Sequence, residues 1–173
     1  NIPAVKIGLD YIESIGIERI SKRVRSLIEF ITTELQKLHH DNGKPIVKIF
    51  GPKDFNHRGG NIIMNFFDAE GHAFPFEEIE KHTNKQMISI RSGCFCNPGI
   101  DEINNCLTTD ELATYFVSRD NGNYYDMIAF LGKMRGATRL SVGIATTQND
   151  LVRFIEFVQG LKNKTIQEFS QIN

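Results

Sequence analysis

The feature that most constrains this chain is a change of hydrophobic period. From Ile17 onward the apolar residues Ile17, Ile20, Val24, Leu27, Ile28, Ile31, Leu35 and Leu38 recur every third or fourth position. That spacing lines up one face of a long helix and needs a core to cover it. Beyond the His39-His40-Asp41-Asn42-Gly43 turn signal the period drops to two, with Val47 and Ile49 flanking Lys48. A helix laid against a sheet is the simplest way to satisfy both patterns.

A shorter stripe through Val5, Leu9 and Ile12 stops at Gly16 and is expected to pair with the long helix as a hairpin-like unit. After the Gly51-Pro52 break, 61–67 reads as a second strand. Pro75, followed by Glu77 and Glu78, suits the first turn of a helix that ends near Asn84. The alternation in 87–91 predicts a third strand with Ile88 and Ile90 on one face and Arg91 on the other, followed by a loop over 92–105. Thr108 with Glu111 spells a capping box for a helix through Phe116, and 124–131 reads as another short helix. A fourth strand is expected over 138–142, with Leu140 and Val142 inward and Arg139 outward. Thr147 and Asp150 then cap a helix carrying Leu151, Phe154, Ile155, Val158 and Leu161.

The expected fold is therefore α+β: a small, mostly antiparallel sheet with helices on one face and Arg91 and Arg139 near one another on the open face. At 173 residues one domain is expected, large enough to hide about 70% of its unfolded surface. The balance of 20 basic against 21 acidic residues argues against nucleic acid as a partner. No apolar run approaches the length of a membrane span. Three cysteines without a signal segment fit a reducing, cytoplasmic setting. The opening Asn1-Ile2-Pro3-Ala4 runs straight into helical periodicity and suggests a piece of a longer protein.

The densest candidate for chemistry is Arg91-Ser92-Gly93-Cys94-Phe95-Cys96-Asn97-Pro98-Gly99, which leaves a strand for a loop of turn-forming residues. A nucleophilic thiol must become a thiolate, which a nearby guanidinium favours; Arg91 and Arg139 can serve. A buried structural cysteine is the competing reading. Cys94, Cys96 and the distant Cys106 lack a zinc-site spacing, so no metal is expected, and Cys106 reads as packing. Two arginines on one sheet face could also clamp a carboxylate. Arg58-Gly59-Gly60 lacks phosphate-loop spacing and reads as a turn. The five histidines read as surface residues, and Phe66, Phe67, Phe74 and Phe76 could form a docking surface.

Two segments carry a family resemblance. The stretch from Ile90 to Gly99, with its Gly-Cys-Phe-Cys-Asn core, is closely similar to the cysteine loop of molybdenum cofactor sulfurases. Thr138-Arg139-Leu140-Ser141-Val142-Gly143, followed by Thr146-Thr147 and a helix, is the second. The chain thus resembles the C-terminal portion of class V aminotransferase-fold enzymes, a group that includes cysteine desulfurases and selenocysteine lyases. The resemblance implies a helical linker over 1–40 from a large domain and a C-terminal small domain over 41–173. It implies pyridoxal 5'-phosphate as cofactor, held mainly by that large domain, and an amino-acid substrate such as L-cysteine. Cys96 matches the persulfide-forming nucleophile, Arg139 the arginine that grips the substrate carboxylate, and Arg91 the arginine opening the cysteine loop. In the implied reaction Cys96 takes sulfur from cysteine and alanine is released. A homodimer and a sulfur-acceptor protein are expected of the full-length enzyme, and the chain alone is expected to be incomplete. Other members of the fold are aminotransferases, lyases or epimerases on other amino acids, and a non-catalytic binding module is a further alternative.

Overall fold

The computed structural model describes residues 2–97, 99–133 and 135–171; Asn1 of the opening tetrapeptide and Pro98 of the cysteine loop lie outside them. Helix α1 (Ile2–Ile15) meets α2 (Ile17–Gln36) at Gly16, whose φ of 94° is open mainly to glycine. None of α1 is buried, with Val5 and Leu9 both exposed. The apolar stripe of α1, expected to pair with α2 as a hairpin-like unit, is thus left exposed rather than buried against it.

Strands β1 (Val47–Phe50), β2 (Asn61–Phe66), β3 (Arg91–Gly93) and β4 (Ala137–Ser141) form one antiparallel sheet in the order β1-β2-β4-β3. The architecture is α+β, as the change of period predicts. Alternation sends Ile62, Met64, Phe66 and Leu140 to one face. There they join Leu27, Ile28, Ile31 and Leu35 of α2 with Leu151, Phe154 and Val158 of α7 (Gln148–Gln159) in a single core. Burying each such side chain contributes on the order of 1.5–3 kcal/mol, so α2 is part of this body. Helix α3 (Phe76–Lys85) adds Ile79 to the same core.

Local signals set most helix ends. Thr108 and Glu111 form the expected capping box of α5 (Thr109–Val117), as do Thr147 and Asp150 for α7. Two further boxes, Asn123 with Asp126 and Thr165 with Glu168, start α6 (Tyr124–Leu131) and α8 (Ile166–Ser170). No described helix is long and apolar enough to cross a membrane.

Several expectations are corrected. Strand β3 starts at Arg91, where the expected strand ends. Met87 has φ 55°, and the Ile88 N–H donates to the Thr83 carbonyl at 2.9 Å, so 87–90 serves as the exit from α3. Ile88 and Ile90 still pack on the core. The expected loop over 92–105 contains α4 (Gly99–Asn104). The face opposite the core is partly roofed: Asn65 of β2 donates to Asn105 at 3.2 Å, and Asn105 donates to the Gly136 carbonyl at 3.2 Å. Phe66 and Phe74 are core residues, not a docking surface. Two histidines are buried: His40 bonds to the Phe67 carbonyl and the Asn163 N–H, and His82 packs against the Phe169 ring. Burial holds the His82 imidazole below its usual pKa. Cys106 is exposed, with φ 52°, so it is not a packing residue.

Candidate functional site

The register decides which side chains meet. Phe50 lies opposite Ile63, Ile63 opposite Arg139, and Arg139 opposite Arg91. This row crosses all four strands on the face away from the core. Partners directly opposite on antiparallel strands have Cβ atoms about 5 Å apart. The two arginines therefore stand side by side, on the one face that alternation along each strand predicts for them. Neither has a carboxylate within ion-pairing distance among the described residues, and the Arg139 Nε is buried without an acceptor.

From Arg91 the chain passes Gly93, φ 116°, into a tight turn. The Asn97 N–H donates to the Cys94 carbonyl at 2.9 Å, and the two residues between them, Phe95 and Cys96, both have positive φ (53° and 56°). Cys96 is exposed and Cys94 half-buried. The Arg139 guanidinium lies over the Phe95 ring, 5.1 Å from its centroid. Strand pairing and this stack bring Arg91, Arg139 and the Cys96 turn together. The sequence reading gives a role to all but Phe95, which it names only as part of the loop and whose signal is a bulky residue at a turn position that favours Asn or Gly.

A cleft of about 380 Å³ opens beside the row, bounded by Phe50, Arg58, Ile63, Asn97, Ile100 and Asn104. Arg58 helps shape its rim by donating to the carbonyls of Phe50 and Pro52, which gives the Arg58-Gly59-Gly60 segment a structural task. Away from the row, Asp68, Glu70 and His72 bring three ligand-type atoms within 4.8 Å of one another. One Asp68 oxygen there accepts the N–H groups of Glu70, Gly71 and His72, which closes a turn.

No family model matches the chain. It is 32% identical over 163 residues to the molybdenum cofactor sulfurase of Drosophila melanogaster, covering 90% of this chain and 21% of that protein. Over nine-tenths of its length, this chain is similar to molybdenum cofactor sulfurases. The human sulfurase is 27% identical over 167 residues, covering 91% of this chain and 18% of that protein. The Arabidopsis thaliana sulfurase is 30% identical over 162 residues, covering 91% and 20% respectively. The chain spans about a fifth of the length of these relatives. In three dimensions it is similar to the apo structure of cysteine desulfurase from Thermococcus onnurineus NA1. That likeness has a TM-score of 0.57 at 19% identity and covers 89% of this chain and 28% of that one. It is a likeness of fold. The sulfurase similarity and the desulfurase fold both agree with the class V aminotransferase resemblance of the cysteine loop.

Proposed function

We propose that this chain is the C-terminal small domain of a pyridoxal phosphate-dependent, cysteine desulfurase-like enzyme, with Arg139 and Arg91 gripping the substrate carboxylate and Cys96 accepting its sulfur. The observation that carries this reading is the arginine pair without an acidic partner among the described residues, set beside an exposed thiol. Two like charges held side by side favour an anion between them. Guanidinium groups match a carboxylate with paired N–H donors.

The residues of this chain fit the substrate rather than the cofactor. Among the described residues lining the cleft beside the row there is no lysine to hold pyridoxal phosphate covalently. Held by residues outside this chain, that group would supply the electron sink such chemistry needs. The part assigned here is positioning and acceptance. Arg139 and Arg91 fix the carboxylate end of L-cysteine, and the Cys96 thiolate takes the sulfur. A sulfur–sulfur bond forms as the carbon–sulfur bond breaks; the carbon keeps the bonding pair and takes up a proton, and alanine leaves. In this reading 1–40 leads from the large domain, α2 lending its apolar face to the core, and 41–173 is the small domain. A cytoplasmic homodimer that passes sulfur to an acceptor protein completes the proposal.

The test is the visible absorption spectrum of the full-length protein purified with pyridoxal phosphate and mixed with L-cysteine. A cofactor band that changes with cysteine, with sulfide release lost in Cys96→Ala but the band retained, is expected. Release that survives in Cys96→Ala would remove the sulfur-acceptor role. It would favour an aminotransferase, lyase or epimerase of the same fold, since the arginine pair suits any amino-acid carboxylate. A colourless protein would favour a binding module.

A further inference from the structure

The turn at Cys96 is built from residues that resist it. Positive φ at both central positions is characteristic of a type I′ turn, where Asn-Gly or Gly-Gly is favoured because a side chain crowds the backbone there. Here Phe95 and Cys96 fill those positions. Strained backbone of this kind persists only where surrounding contacts hold it. One such contact is the Arg139 guanidinium over the Phe95 ring, 5.1 Å from its centroid. A cation over a ring face is held through its charge, so the contact occupies none of the guanidinium's N–H donors. Arg139 can keep Phe95 and still take an anion.

We propose that Phe95 is a positioning residue: its ring clasps Arg139 and thereby sets where Cys96 stands relative to the anion that Arg139 binds. This rests on the reading of Arg139 and Cys96 given above and deepens it. The connections form a closed loop. Arg91 is the register partner of Arg139, and its strand runs through Gly93 into the turn. Phe95 returns from the turn to Arg139, and Cys96 is the next residue. Anything that shifts the Arg139 side chain shifts the thiol's support with it.

The experiment measures the pH-independent rate constant for alkylation of the Cys96 thiolate by iodoacetamide in the full chain, taken from rate–pH profiles so that the thiolate fraction drops out when the Arg139 charge is removed. Peptide mass spectrometry resolves the sites, with exposed Cys106 as internal reference. Phe95→Ala and Arg139→Gln are each expected to raise the Cys96 rate about threefold by freeing the turn. The double variant is expected to be no faster than either single one, Phe95→Tyr should match the wild type, and Cys106 should stay constant. Additive effects, or rates unchanged in both single variants, would overturn the clasp. In the full-length enzyme Phe95→Ala should lower kcat more than it raises KM for L-cysteine, with Phe95→Tyr restoring kcat. Should Arg139→Gln leave that KM unchanged while the alkylation cycle shows coupling, the clasp stands and the carboxylate-binding reading falls. A raised KM with additive alkylation rates would retain that reading and remove the role of Phe95.

Discussion

Arg91 and Arg139 are direct register partners on β3 and β4, so two guanidinium groups leave the same face of the sheet side by side. Like charges in that arrangement cost stability by roughly 0.2–1 kcal/mol. A sheet tolerates such a pair where an anion comes to neutralise it.

Replacing Arg91 by Gln is therefore expected to stabilise the anion-free chain by up to about 1 kcal/mol. Urea unfolding at low ionic strength checks this, and the gain should shrink as salt screens the pair. A loss of more than about 0.5 kcal/mol, outside the usual range for surface changes, would show that Arg91 holds the fold together.

In the full-length enzyme Arg139→Ala should cut kcat/KM for L-cysteine about 10- to 100-fold, the value of one lost charge-assisted contact. Most of that loss should fall on KM. Cys96→Ala should instead abolish turnover with little change in substrate binding. Steady-state kinetics and a binding titration separate the two, and the opposite ranking would assign the arginine and the thiol differently.

Gly60 is expected to be intolerant of any side chain. A Cβ there would lie 2.7 Å from the Val142 carbonyl oxygen and 3.2 Å from a Val24 methyl. Val142 is itself held in place, its N–H donating to the Gly60 carbonyl at 2.8 Å. Gly60→Ala should cost on the order of 1–3 kcal/mol. Gly59→Ala, with nothing within 4 Å of its Cβ, should be close to neutral. Thermal unfolding of the two variants distinguishes them.

Glu111 gives the fold an acid-sensitive joint. The Lys133 ammonium at 2.6 Å, with the Thr108 backbone N–H and hydroxyl, holds its carboxyl down from 4.5 to about 2. A carboxyl depressed by folding stabilises the native state above its unfolded pKa. Its contribution is whole above 4.5 and fades as pH falls toward about 2. The stability difference between wild type and Glu111→Gln, measured by urea unfolding, should follow that window. A difference independent of pH would show that the ionised carboxylate contributes nothing.

What the residues reveal in order depends on how local the cause is. The boxes at Thr108 and Thr147 join residues three apart, so they are readable without any fold. The stripe of α2 is likewise its own evidence. Alternation in 87–91 does not locate β3 at Arg91–Gly93, because it reports only which side faces the core. A ladder also needs a partner alongside, and β4 pairs with 91–93. His40 reads as a surface residue in sequence and is buried in the fold, because its bonding partners, Phe67 and Asn163, lie far along the chain.

By itself the sequence determined most of the helices, though not α4 or α8, together with the α+β class, the shared face of Arg91 and Arg139, and the cysteine-loop resemblance, because periodicity and capping act within a few residues. Only the tertiary structure decided that the two arginines are register partners, that α4 and Asn105 partly roof their face, and that Phe95 reaches Arg139. Strand order, register and ring contacts join residues tens of positions apart. Their energies depend on the whole packed sheet, and no local pattern encodes which of many possible pairings that sheet will select.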